Sequence, residues 1–270
     1  MKIVLLTNNS NRGQTLAHLM LRAGLNLKLV VVEDGSINSV QEKGVLSLAR
    51  QILGPTYRLL KKYVKFSSED RKALKFEEES ITKAEITVNQ YIQNLGVTGR
   101  PTEIEYLEVS TLNSAMAVNT VVKAKPDLCV VLGTSILRSR MISIPKIGTI
   151  NAHTSILPEY RGSRSEFWQC YNQDYKNVGV TLHFIDKGVD TGNILFQKKQ
   201  DVDENPDPNV LRMNNTFAIL QNYVAVIQQV LLGDIEPKKQ GKCTTPTYRF
   251  RDITEKKRIK LYKRLLRPNG

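Results

Sequence analysis

Cysteine is scarce and scattered in this chain. Cys129, Cys170 and Cys243 stand alone, with no CxxC pair and no metal-ligand spacing, so neither a disulfide framework nor a metal site is expected. That usage fits the reducing cytoplasm, and Cys129, inside the apolar run DLCVVL, reads as a small core residue. No apolar stretch approaches the ~20 residues that a membrane-crossing helix needs, so no membrane insertion is expected. The opening MKIVLLTNNSN has too short an apolar part for an export signal and ends in asparagines, so it reads as a first strand. Internal repeats and low-complexity tracts are missing too. Acidic residues are the other shortage: 26 against 39 lysines and arginines leave a net charge of +13. Between residues 238 and 267 the basic side chains meet only Asp252 and Glu255, and a second cluster joins Arg58, Lys61, Lys62 and Lys65. Such patches attract phosphate, whether of nucleic acid, an anionic membrane surface or a nucleotide-activated substrate. A solvated helix face is the competing explanation.

What is present reads as α/β. KIVLLT at 2–7, helical spacing at 14–23 and LKLVVVED at 27–34 form a strand–helix–strand opening, which predicts a parallel sheet with helices on its faces. Residues 37–95 then form a helical insertion, with helices over 40–53, 56–65 and 80–95 and a polar patch at 67–75. Strands follow at 104–109, 126–133 and 148–153, with helices at 112–123 and 164–173 between and after them. Residues 178–186 and 193–200 predict an antiparallel pair. An amphipathic helix over 207–232 and a basic helix over 253–266 complete the chain. The expected division is a catalytic domain over 1–200 and a helical, basic appendage over 201–270.

Two segments carry the chemistry. TINAHTSILPEYRGSRSEFW, at 149–168, places Asn151 and His153 two residues apart at the end of an apolar strand, hence on one face. FIDKGVDTGNILFQ, at 184–197, sets Asp190 in a glycine-flanked turn. With no cysteine nucleophile beside them, a carboxamide, an imidazole and a carboxylate suit acyl-type transfer through a tetrahedral intermediate. Asn151 is a donor for the oxyanion. His153 is a general base or, protonated, a second stabiliser. Asp190 holds the imidazole, raises its basicity or orders a relay water. His18 and His183 read as structural, and Asp186 as the residue that caps the turn.

The pattern Asn-x-His-x-Ser-x-Leu-Pro-x-Tyr-Arg-Gly, followed by Asp-x-Gly-x-Asp-x-Gly, resembles the formyltransferases that use N10-formyltetrahydrofolate. The similarity is strongest over 126–197 and extends to 1–34. It implies a Rossmann-like, mostly parallel sheet flanked by helices, with Asn151, His153 and Asp190 as the catalytic triad. It implies that the pterin is held by Gly133, Thr134, Ser135, Ile136 and Leu137, and by 184–189, including Phe184, Asp186, Gly188 and Val189. For the acceptor it points to the first loop, Asn8, Asn9, Ser10 and Arg12, and to Tyr160, Arg161 and Arg164. The first loop keeps only Gly13 where purine-pathway relatives are glycine-rich, and Ser10 or Asn11 serves equally well as a helix cap. Among acceptors the resemblance favours a nucleotide-linked amino sugar. Methionyl-tRNA formylation and hydrolysis of the folate are the alternatives, and a homodimer through the basic helix is left open.

Overall fold

The computed structural model describes residues 1–35 and 66–267. The helices expected at 40–53 and 56–65, with the cluster Arg58, Lys61, Lys62 and Lys65, lie outside the described residues. Seven strands form one sheet: β1 (Ile3–Asn8), β2 (Leu27–Glu33), β3 (Glu105–Val109), β4 (Leu128–Leu132), β5 (Gly148–His153), β6 (Gly179–Phe184) and β7 (Ile194–Lys199), in the order β3-β2-β1-β4-β5-β6-β7. The first five positions are parallel, while β6 and β7 are antiparallel to their predecessors. The central strands β1 and β4 are buried on both faces, which explains their unbroken apolar sequences IVLLT and LCVVL. At one edge β7 ends in the exposed residues Lys198 and Lys199, charges that discourage further strand pairing.

Alternation divides the core. Ile3, Leu5, Val130 and Ile150 face one layer, formed with helices α1 (Asn11–Arg22), α2 (Ser68–Asn94) and α6 (Pro208–Leu232). Val4, Leu6, Cys129 and Val131 face the other, closed by α3 (Ala115–Ala124) and α4 (Ser139–Ile142). Cys129 is wholly buried, and burial pushes its thiol up to about 12, as befits a packing residue. Helix α1 starts at Asn11, earlier than expected, with Ser10 at the cap position but without a side-chain cap bond. Gly13 sits inside this helix against β1, where a Cβ would stand 2.1 Å from the Thr7 hydroxyl. The glycine thus serves close helix–strand packing.

The polar patch at 67–75 is a correction: it forms the first turns of the 27-residue helix α2. Ser67 and Asp70 make a reciprocal capping box, which supplies the start that apolar periodicity did not show. Helix α6 differs as well. It packs against α1, α2, β6, β7 and α5 (Ser165–Asn172), so it is buried on several sides and lacks the single apolar stripe expected of it. Tyr223 of α6 is fully buried, and its hydroxyl lies 2.9 Å from the Val131 carbonyl and 3.1 Å from that of Ile150. Packing is therefore continuous across residue 200.

The basic tail folds back. Helix α7 (Glu255–Leu265) lies on α2, where Arg258 meets the buried Glu77 at 2.6 Å and Lys263 meets Asp70 at 2.7 Å. Lys257 stands over the Trp168 ring, 4.6 Å from its centroid. Much of the positive charge in this helix is committed to intramolecular contacts. Among the described residues no helix is long and apolar enough to cross a membrane.

Candidate active site

Strand β5 delivers Asn151 and His153 on the same face, and β6 runs antiparallel beside it with His183 directly opposite Asn151. The turn after β6 then returns Asp190 toward both imidazoles. Its carboxylate lies 3.5 Å from His153 Nδ1 through one oxygen and 3.5 Å from His183 Nε2 through the other. The backbone N–H of Gly162 donates to it at 2.8 Å. Asp190 adopts φ 52, a left-handed conformation that aims the carboxylate back into the site. Asp186, by contrast, accepts bonds from Gly188 N–H and the Thr191 hydroxyl and so caps the turn.

Each imidazole has a defined donor. The Tyr160 carbonyl, 2.9 Å from His153 Nε2, can only accept, so that nitrogen carries hydrogen, while Nδ1 faces the Asp190 carboxylate. The Phe184 carbonyl, 2.7 Å from His183 Nδ1, fixes the other ring, whose Nε2 faces both Asp190 and, at 3.4 Å, the Asn151 amide nitrogen. His183, which the sequence presents as structural, stands between the amide and the carboxylate. That placement comes from its cross-strand register with Asn151, which the sequence alone does not reveal.

Burial would raise the Asp190 carboxyl, but His153, His183 and the Gly162 N–H outweigh it and hold the group well below the usual carboxylate range. A depressed carboxyl stabilises the fold above its unfolded value of about 4, and the contribution fades as pH falls toward the native value. The melting-temperature gap between wild type and Asp190→Asn is accordingly expected to be widest above about pH 5. It should narrow below about pH 4 in thermal scans across pH.

These side chains open onto a cleft of about 800 Å³. Gly133, Thr134, Ser135, Ile136 and Leu137 form one wall, and Asp186, Gly188 and Val189 another. The first wall is held from below: the Glu33 carboxylate accepts from Ser135 N–H at 2.8 Å and its hydroxyl at 2.7 Å, and Asn113 donates to the Ile136 carbonyl at 3.0 Å. Ile136 is exposed, whereas Leu137 packs into the layer beside Met141. Phe184 packs on the core and does not line the cleft.

The sequence-predicted acceptor residues are placed elsewhere. Asn9 donates to Asp34, Arg12 pairs with Glu85 at 2.7 Å, and none of Asn8, Asn9, Ser10 or Arg12 lines the cleft. Tyr160 is buried with its hydroxyl on Asp174, Arg161 donates to Gln240, and Arg164 stands over the Phe250 ring at 5.4 Å. All three lie behind a segment from the tail that sequence reading missed. Residues 247–251 complete the cleft. Tyr248 bridges to Gly162 and stacks on Tyr160 and on Trp168, with centroids 5.4 and 4.7 Å apart. Gln240 donates to the carbonyls of Asp190 and Gly192 and thereby clamps the carboxylate turn. Gly162 has φ 97, and a Cβ there would lie 2.0 Å from the Tyr248 carbonyl oxygen. Gly162→Ala should displace the strap and cost about 1–3 kcal/mol in denaturant unfolding.

Residues 42–227 match the formyl transferase family model. The chain belongs to that family. A methionyl-tRNA formyltransferase from Thermodesulfovibrio yellowstonii is 34% identical over 116 residues, 43% of this chain and 37% of that protein. The matched part thus spans about two fifths of the curated relatives' length. An N-formyltransferase from Helicobacter canadensis, solved with folinic acid and dTDP-3-aminofucose, superposes with a TM-score of 0.58 at 16% identity, covering 94% of this chain and 73% of the other. A sugar N-formyltransferase from Shewanella gives 0.57 at 14% identity over 100% of this chain and 90% of its own. These likenesses establish the fold, a mostly parallel sheet between helical layers.

Proposed function

We infer that this formyltransferase moves a formyl group from N10-formyltetrahydrofolate to the amine of a nucleotide-linked amino sugar. The observation that carries the reading is the convergence of Asn151, His153 and Asp190 at one end of a single cleft. The acceptor amine attacks the formyl carbon and a C–N bond forms. The carbonyl electron pair moves onto oxygen, where the Asn151 amide donates to it. The amine's proton passes to the His153–Asp190 pair. Return of the electron pair breaks the bond to the folate nitrogen, which takes up a proton. The donor is assigned to the loop at 133–137, which lines the cleft, exposes the Ile136 side chain and is braced by Glu33. The sugar acceptor is supported by the Helicobacter canadensis relative, solved with a nucleotide-linked amino sugar.

A tRNA acceptor is the second reading, favoured by the names of the sequence relatives. The catalytic domain is proposed to occupy 1–200, with residues 247–251 of the appendage completing its cleft. The test is release of tetrahydrofolate from the formyl donor with a panel of UDP- and dTDP-linked amino sugars, initiator Met-tRNA and a no-acceptor control. Turnover on a nucleotide sugar alone supports the reading. Turnover on charged tRNA, or equal turnover with no acceptor, refutes it.

A further inference from the structure

We propose that Arg249, Phe250 and Arg251 on the tail strap form the subsite for the nucleoside diphosphate part of the acceptor. This proposal rests on the formyl-transfer reading of the cleft and deepens it. The tail carries many cations, and most of those that reach the body of the protein are committed. Arg258 is paired with Glu77, Lys263 with Asp70 and Glu69, and Arg264 donates to the Cys170 carbonyl. Arg249 and Arg251 differ: both are exposed, both line the catalytic cleft, and among the described residues neither has a carboxylate within ion-pair distance. Between them Phe250 is 63% exposed, with the Arg164 guanidinium 5.4 Å from its ring centroid, so the ring stands at the cleft lip beside three arginines.

The strap is also built to hold position. The Tyr248 N–H donates to the Arg161 carbonyl at 2.9 Å, and its own carbonyl accepts from Ser163 N–H at 2.9 Å. Upstream, Glu159 accepts from the backbone N–H groups of Thr244 and Thr245, and the Thr245 hydroxyl accepts from Tyr160 N–H. Downstream, Phe250–Asp252 forms a short helical turn, with Asp252 N–H on the Arg249 carbonyl. Two guanidinium groups and an aromatic ring are therefore presented by fixed backbone at the lip of a reacting centre. Guanidinium forks match phosphate oxygens, and an exposed ring stacks on a nucleobase whatever its edge. A nucleoside diphosphate combines both features in one small ligand.

Calorimetric titration of the full chain with UDP and with dTDP, and separately with folinic acid, tests the assignment. Wild type should bind at least one nucleotide. Arg249→Gln and Arg251→Gln should each weaken it by about tenfold, the double variant by more, and each should raise the acceptor KM in parallel. Phe250→Ala should weaken binding by a similar factor and Phe250→Tyr should restore it, because stacking needs only the ring. Folinic acid binding should not move. Nucleotide binding that is absent from wild type, or unchanged in the double variant, overturns the subsite. So does a raised KM for charged tRNA with nucleotide binding unaltered, which would assign the arginines to a macromolecular acceptor. Formyl transfer to a nucleotide sugar that ignores both arginines sinks the subsite and leaves the function standing. Arginine-dependent nucleotide binding without formyl transfer does the reverse.

Discussion

Replacing His153 by alanine is expected to slow formyl transfer by about 10²–10⁴-fold, the range for losing a positioned proton-transfer group. His153 is buried, its Nε2 faces the Tyr160 carbonyl and its Nδ1 faces Asp190, so the ring is held from both sides. Asn151→Ala should cost about 10²–10³-fold through the lost oxyanion donor. The double variant should be slower than either single one by far less than the product, because both act on one intermediate. Single-turnover rates with saturating folate and acceptor check this. A loss that resides wholly in KM would show that these residues bind substrate without touching the chemistry.

Tyr223→Ala should be the most damaging change outside the cleft. The ring is fully buried beneath the sheet, and truncations of this size cost about 3–5 kcal/mol. The hydroxyl joins β4 to β5 by reaching the carbonyls of Val131 and Ile150, and Ile150 immediately precedes Asn151. Tyr223→Phe keeps the volume and loses only that link, for about 1–3 kcal/mol. Urea unfolding of the two variants separates packing from hydrogen bonding. Equal midpoints would mean that the hydroxyl carries the whole effect.

The sheet was legible because its central strands are buried on both faces and so read as plain apolar runs, as in LKLVVVE and LCVVL. The alternation of Asn151 and His153 on β5 was equally open to reading, since a strand period of two needs no tertiary knowledge. Contacts between distant segments were not. His183 lies opposite Asn151 only because β6 reverses direction, and period alone does not reveal a register between strands. The start of α2 was hidden because its first turns are polar and are anchored by Lys263 on the far side of the sequence. The strap over Gly162 was hidden for the same reason. The bonds that seat Tyr248 beside Gly162 are between backbone atoms, and nothing in TPTYRFRD announces the partner.

The strap also imposes an order of events on biosynthesis. Tyr160 and the threonine that accepts its N–H are 85 positions apart, so the triad leaves the ribosome well before the wall that faces it. Domains acquire structure as units during synthesis, N-terminal parts first. An emerging chain can thus assemble the wall at 133–137 and the triad while residues 240–251 are still untranslated. Commitment of the carboxylate turn waits for Gln240, and closure of the cleft waits for Tyr248. The residues that finish the cleft are thus made well after those that carry the triad.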